Sequence, residues 1–453
     1  MTDRKYDLGI KNGTVALESG SMKTNVYVEG GRIARITGEV LQCEEVIDAT
    51  GKFVIPGMVD GHVHFMDPSE PEREDFISGS SAAASGGVTT VIEHTHSSPV
   101  RNVDEFRKKR EYLKNRSVVD FGLAAHVWGT NNDDLPELWK EGISLFKMFT
   151  ADTHGVPGMD NAGIRDAFRT ISSFGGLVLC HPEDNTILAR NEERLKEQGF
   201  NGNDVLYHWR SRDAELVAIN TVGLLTKLTG VRAIIAHASS PPAVELANHW
   251  KQSGANLHVE SCPQYFYLWE KEVIEEGAFR KFTPPARIRS SLEGTRMWES
   301  LLSGAITHIS TDHAPSTVMQ KQKSIWEAPF GLPGVETTLT MMLNAVNSGH
   351  IGLETVVRAT SWIPARLYGL YPRKGTISAG SDADIVIVDL DREKRISNSG
   401  VRSKAGWTPY DGMTVRGVPE VTISRGNIVF REGKVTGKPG MGSFLPGPGA
   451  ASQ

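Results

Sequence analysis

The sequence predicts an α/β protein, a (β/α)8 TIM barrel with a composite β-sandwich domain built from both chain termini. Three observations predict it. Eight strand-length apolar runs alternate with helix-length amphipathic stretches through the middle of the chain, which is the pattern of a parallel sheet. Residues 1–55 and 375–436 instead have the texture of strands joined by tight turns. The 453 residues leave room for a barrel of roughly 250 residues or more together with such an appendage.

In chain order, Tyr6–Leu17 and Asn25–Thr37 are strand-length runs of β-branched and apolar residues. Gly30-Gly31, set between Val26-Tyr-Val28 and Ile33-Ala-Arg-Ile36, signals a tight hairpin. Residues 56–374 hold the eight barrel runs: Met58–Phe65, Val88–Glu93, Val118–His126, Ile143–Phe149, Leu177–His181, Val231–His237, Ala255–Ser261 and Ile306–Asp312. Helical candidates between them include Asp104–Leu113, Glu183–Glu197, Ala214–Lys227, Ala243–Lys251 and Leu292–Leu302. Eight repeats favour a closed barrel over an open doubly wound sheet. In residues 375–436, Asp384-Ile-Val-Ile-Val-Asp389 is a short apolar strand, and Val421–Phe430 turns back on itself at Arg425-Gly426-Asn427. Either terminal β segment alone is too small for a good core, so the two are expected to pair. The tail, 437–453, is rich in Gly and Pro and reads as an extended or disordered arm.

Composition narrows the function. Hydrophobic residues at 39% and charged residues at 23% are those of an ordinary globular protein. With 49 basic and 54 acidic residues the net charge is −5, which argues against a general affinity for nucleic acid. Cys43, Cys180 and Cys262 are odd in number and far apart, so they form neither a disulfide framework nor a CxxC zinc site. No run approaches the ~18 apolar residues of a membrane span, and the first residues lack the apolar core of a signal peptide. The expectation is a soluble, cytoplasmic protein.

In such a barrel, chemistry sits at the carboxyl ends of the strands. The first run ends in His62-Val63-His64, the fourth carries Lys147, the fifth ends at His181, the sixth at His237 and the eighth at Asp312. His62 and His64 are two apart on a strand, so their imidazoles share one side and offer a two-nitrogen grip on a borderline metal such as zinc. Any one of these histidines, met alone, reads as a satisfied core residue. Six polar residues all ending strands of one barrel do not. Lys147 lies in Ser144-Leu-Phe-Lys-Met-Phe149, a run too apolar for an unpaired ammonium. Either its head snorkels out, or burial beside cations lowers its pKa until the amine adds CO2 and becomes an anion able to bridge two metals.

These segments resemble the cyclic amidohydrolases, the group of hydantoinases, dihydropyrimidinases, allantoinases and dihydroorotases. The resemblance rests on Gly57-Met-Val-Asp-Gly-His-Val-His64, the Lys147 strand, His181-Pro-Glu183, His237-Ala-Ser-Ser-Pro241, Glu260-Ser-Cys-Pro-Gln-Tyr265 and Ser310-Thr-Asp-His-Ala-Pro315. It runs from Ile55-Pro56-Gly57 to Gly380-Ser-Asp-Ala-Asp384, and Gly437-Lys-Pro-Gly-Met-Gly442 is similar to a hydantoinase tail. The resemblance implies two divalent metal ions, usually zinc. His62, His64 and Asp312 would hold the more buried ion, His181 and His237 the other, and carboxylated Lys147 would bridge them. It also implies that Asp312 carries a proton from the attacking hydroxide to the leaving ring nitrogen. A homotetramer, with the tail reaching a neighbour, is the family habit.

Within the group the signals are mixed. Gln264 after Glu260-Ser-Cys-Pro263 looks hydantoinase-like, whereas His64-Phe-Met-Asp-Pro68, Arg73-Glu-Asp-Phe76 and Ala82-Ala-Ala84 read more like allantoinase. Asp152 stands where D-selective hydantoinases carry a tyrosine. Thr283 and Phe330 match the positions that bind the ureide through backbone groups, and Phe330 replaces an asparagine found in several hydantoinases. Met66 stands where the similar dihydroorotases place an arginine for the ring carboxylate, so dihydroorotate is the disfavoured substrate. The expected substrate is a small cyclic ureide or imide. Deacetylation of an acyclic amide and a non-catalytic dihydropyrimidinase-like scaffold are the remaining alternatives, the latter disfavoured because all six ligand positions are filled. Glu93-His-Thr-His96 repeats the HxH pattern but is expected to line the pocket wall, and His313 is expected to point away from the site.

Overall fold

The computed structural model describes residues 5–450. Its centre is a parallel barrel of eight strands: β1 (Met58–Val63), β2 (Val88–Glu93), β3 (Asp120–His126), β4 (Leu145–Phe149), β5 (Leu177–His181), β6 (Arg232–Ile235), β7 (Leu257–Ser261) and β8 (His308–Ile309). Each pairs in parallel with the next, as in Lys147 beside Leu179 and Phe149 beside His181. The strands are almost entirely buried because helices cover the outside and side chains fill the inside. Closure between β8 and β1 is light. It consists of a single bridge from Val63 to His313, with the His64 amide donating to the His313 carbonyl at 2.7 Å. The expected runs were longer than the hydrogen-bonded strands at β6 and β8. Beyond Ile235 and Ile309 the chain leaves regular pairing, and that is where His237 and Asp312 sit.

The helical candidates appear at Val103–Lys114, Asn185–Glu197, Arg212–Thr229, Pro241–Gln252 and Ser291–Leu302. Three of these are started by side-chain caps from Asn102, Asp184 and Ser290, each accepting from an amide of the first turn. Phe76–Ser85, Leu135–Glu141, Asn161–Ser173 and Thr338–Asn347 are further helices of this layer.

Both termini build the sandwich, as the sequence predicts. One sheet holds Arg32–Thr37, Asn25–Glu29, Tyr6–Lys11 and Cys43–Asp48 in that order. The other is joined at its centre by Phe53–Pro56 running antiparallel to Ile385–Arg395, so the first and last parts of the chain share one sheet. Its core is aliphatic, with Leu8, Ile10, Val26, Ile47, Val54, Ile385, Ile387 and Ile423 buried between the sheets. Gly30 and Gly31 take φ of 57° and 77° in the hairpin between Asn25–Glu29 and Arg32–Thr37, which is the two-residue turn that matches strand twist.

A buried ion cluster fastens sandwich to barrel. The Lys374 ammonium meets Asp120 and Asp384 at 2.6 Å and Asp382 at 3.0 Å, and Arg425 meets Asp120 at 3.0 Å. The tail is extended and ordered as far as residue 450, laid along its own barrel. The Leu445 amide donates to the Phe121 carbonyl at 2.7 Å, and a Cβ on Gly442 or Gly447 would stand 1.9 Å from a backbone oxygen. Residues 451–453 of that arm lie outside the described part of the chain. No helix among the described residues is long and apolar enough to cross a membrane.

Candidate metal centre

Five of the six strand-end residues are almost fully buried, and all six line one cavity at the carboxyl end of the barrel. His62, His64 and Asp312 each present one donor atom, all within 4.8 Å of one another. Asp312 Oδ1 lies 3.3 Å from His62 Nε2 and 3.4 Å from His64 Nε2. Lys147 Nζ is 2.8 Å from His62 Nε2, and the rings of His181 and His237 are 4.6 Å apart with centroids in an edge-on arrangement. His237 and Asp312 adopt φ of 38° and 48°, a left-handed backbone that costs a non-glycine residue energy and here turns both side chains over the barrel mouth. Gly61 in the first motif is required by a close approach: a Cβ there would lie 2.0 Å from the Tyr368 hydroxyl oxygen.

The surroundings fix which nitrogen of each histidine is free. His62 Nδ1 bonds to Glu260 Oε1 at 2.8 Å, which leaves Nε2 to face Asp312 and Lys147. His64 Nδ1 donates to the His94 carbonyl at 3.1 Å, again leaving Nε2 as a donor atom. His181 is held the other way round, with Nε2 against Glu183 Oε2 at 2.8 Å. Glu183 is in turn fixed by Arg210 at 2.6 Å and by the Thr283 hydroxyl at 2.7 Å. Burial opposes the charge on Glu183 and Glu260, but Arg210 and His181 on one, and His62 and His308 on the other, hold both well below the usual carboxylate range. Burial pushes His64, His181 and His237 below the ordinary imidazole value, against the pull of Glu183 on His181, and so favours the neutral rings. A neutral imidazole with one committed nitrogen and one free nitrogen is prepared to ligate a metal. The donor set therefore fits a divalent ion, and His237 Nδ1, buried without a partner, is a polar atom that such a site would leave open.

Lys147 does not snorkel. It is 1% exposed and, among the described residues, has no carboxylate partner within ion-pair distance, and burial lowers its pKa.

The other expected site residues divide. Thr283 and Phe330 line the cavity. Phe330 has its ring 4.3 Å from the Lys281 ammonium and 5.6 Å from the Trp209 ring. Met66 does not line it. Its side chain is buried in the core, and its backbone, with φ of 58°, is tied to the Thr95 hydroxyl at 3.0 Å. Asp152 is on the exposed loop after β4, where its carboxylate accepts from the Gly158 amide at 2.7 Å and lines an outer recess rather than the cavity. His96 lines the cavity, while His94 braces β1 by bonding the Gly61 carbonyl at 2.7 Å. His313 points away and accepts from the Gly334 amide at 3.1 Å. His154, on the loop after β4, was not singled out from the sequence; it stacks on His96 at 4.4 Å and completes the wall.

Replacing Glu260 tests this arrangement. Glu260→Gln removes the charge that holds the His62 proton on Nδ1, and metal affinity should fall about 10–100-fold with the fold intact. Competition with a chelator measures this; unchanged affinity would show that the contact does not tune His62.

The model of the amidohydrolase family matches residues 53–429. The chain is 35% identical to an L-hydantoinase of Paenarthrobacter aurescens over 97% of this chain and 98% of that one. It is 33% identical to a dihydroorotase of Methanosarcina acetivorans over 99% and 97%. Among solved structures, the L-hydantoinase (dihydropyrimidinase) from Arthrobacter aurescens superposes with a TM-score of 0.94 at 34% identity, covering 97% of this chain and all of that one. The chain belongs to the amidohydrolase family, which is metal-dependent. It is a hydrolase of cyclic amides, acting on a C–N bond of the ring.

Proposed function

We propose that this enzyme opens a neutral cyclic ureide or imide of the hydantoin or dihydropyrimidine type, using two divalent metal ions, zinc being the usual one. The observation that carries this reading is the convergence of His62, His64, Lys147, His181, His237 and Asp312 on one cavity. His62, His64 and Asp312 would hold one ion and His181 and His237 the other. The Lys147 amine would add to CO2, forming an N–C bond and releasing a proton, and the resulting carbamate would supply the negative charge that two neighbouring ions need. Burial supports this by favouring the neutral amine that the addition needs. When bound, the ions supply an activated water and polarise the ring carbonyl.

The remaining work falls to the chain. Asp312, the most open of the six at 17% side-chain exposure, accepts the proton of the attacking water and returns it to the leaving ring nitrogen. Thr283 and Phe330 hold the ring against the cavity wall. A homotetramer fits Val217, Leu224 and Leu228, exposed apolar residues spaced seven and four apart on one face of Arg212–Thr229. Three unpaired cysteines suit the reducing cytoplasm.

A dihydroorotase reading is favoured by the Methanosarcina relative but lacks a cation for the ring carboxylate. Among the described residues no arginine lines the cavity, and Arg73 is occupied by Glu70 at 2.9 Å and the Pro315 carbonyl at 3.0 Å. Losing such a charge partner costs roughly 2–5 kcal/mol, about 30-fold to several thousandfold. Turnover of hydantoin, dihydrouracil, allantoin, dihydroorotate and a cyclic imide, compared by kcat/KM, tests the proposal. A neutral ring should lead by at least about 30-fold over dihydroorotate; dihydroorotate as the best substrate would overturn the assignment.

A further inference from the structure

At the opposite end of the barrel, where the strands begin, lies a second cavity of about 530 Å3. Arg232 opens β6, His258 is the second residue of β7, and Lys251 is in the last turn of the helix Pro241–Gln252. Arg366, Trp362 and Tyr371 complete the wall from the segment after the barrel. The run from Arg232 to His237 is five residues, so this cavity lies about 16 Å below the metal centre.

Its charge is one-sided. Arg232, Lys251 and Arg366 line it, and no acidic residue does among the described residues. Among the described residues none of the three has an ion-pair partner there, in a chain whose net charge is −5. Arg232 is half-buried and donates to the Leu367 carbonyl at 3.3 Å. Burial lowers its pKa with no acid to oppose the shift. His258 feels the same field: burial first, then His308, Lys251 and Arg232, push it down to about 3, and its Nδ1 is buried without a partner. A half-buried guanidinium left uncompensated is costly, and an anion entering the cavity would recover that cost. The other wall is aromatic. The Arg366 guanidinium lies 4.9 Å from the Trp362 ring and 5.3 Å from the Tyr371 ring, so stacking surface and positive charge are presented together.

We propose that this cavity is a binding site for a small organic anion, a carboxylate or phosphate carried on a planar ring. Arg232, Lys251 and Arg366 pair with the charged group, and Trp362 and Tyr371 stack on the ring. The volume is that of small-molecule sites, roughly 300–1,000 Å3, and the recess is open to solvent on the side of Arg366 and Tyr371, which gives a ligand its way in.

The metal-loaded enzyme should be titrated with uridine 5′-monophosphate, benzoate, inorganic phosphate and uncharged uridine, followed by calorimetry and tryptophan fluorescence. At least one ring-bearing anion should bind saturably with Kd below about 1 mM, more tightly than inorganic phosphate, and uridine should not bind. Nucleotide against benzoate then separates a phosphate from a carboxylate ligand. The double variant Arg232→Gln/Arg366→Gln should weaken binding at least about tenfold, as loss of a charge-assisted contact does, with hydantoin turnover within twofold of wild type. Trp362→Leu, which leaves every charge in place, should weaken the ring anions and not phosphate. Binding that survives in both variants belongs elsewhere and overturns the proposal, as does the absence of saturable binding by any anion up to about 10 mM.

Discussion

Asp312→Asn should keep its fold and metal and turn over its substrate about 10²–10⁴-fold more slowly, the scale of a positioned general base. The geometry makes Asp312 the group that can do this work. His62, His64, His181 and His237 are buried, and the contacts of His62, His64 and His181 commit one nitrogen each to a brace. Asp312 sits past the end of β8 with a left-handed φ of 48° and keeps part of its carboxylate open to the cavity. An amide can take its place in shape, but it cannot accept a proton at neutral pH. Steady-state rates beside metal content check the expectation. A metal-loaded variant with near-normal kcat would remove Asp312 from proton transfer.

Lys147→Ala should lose most of its activity, with metal affinity falling further than the ~10–100-fold expected for an outer partner such as Glu260. Two divalent ions a few ångströms apart repel strongly, and an alanine leaves nothing anionic between them. Lys147 is in the middle of β4, 1% exposed, with Nζ 2.8 Å from His62 Nε2, so truncation opens a gap beside the ligands rather than at the surface. Acetate or formate should occupy that gap and restore part of the rate. A variant retaining both metals and full activity would contradict the bridging role.

The convergence of the six candidate residues on one cavity was legible in the sequence because a barrel places chemistry by rule. Once strands alternate with helices, a polar residue closing an apolar run stands at the mouth, and spacing of two puts His62 and His64 on one side. The proposed division of these residues between two ions comes from the family resemblance, which strand pattern alone does not contain. The sandwich was legible from its turns, where Gly30-Gly31 and Arg425-Gly426 both adopt positive φ as the hairpins demand.

What escaped depends on loops. Met66 and Asp152 were placed by position along the chain. The backbone after β1 turns Met66 into the core, and the loop after β4 carries Asp152 outward while bringing His154 in. Nothing in sequence spacing relates His154 to His96, which it meets only through that loop. Phe76–Ser85 lacks apolar periodicity, being mostly serine and alanine, and is helical because its small side chains let it lie close against the barrel. The tail is low in periodicity but ordered, since Gly442 and Gly447 let its backbone touch that of the barrel where any side chain would collide.

The most direct test is the metal content of freshly purified enzyme, measured together with ring opening of hydantoin before and after chelation. The account predicts close to two divalent ions per chain, loss of turnover when they are removed, and its return when zinc is restored. Stoichiometry near zero with turnover indifferent to chelators would contradict it.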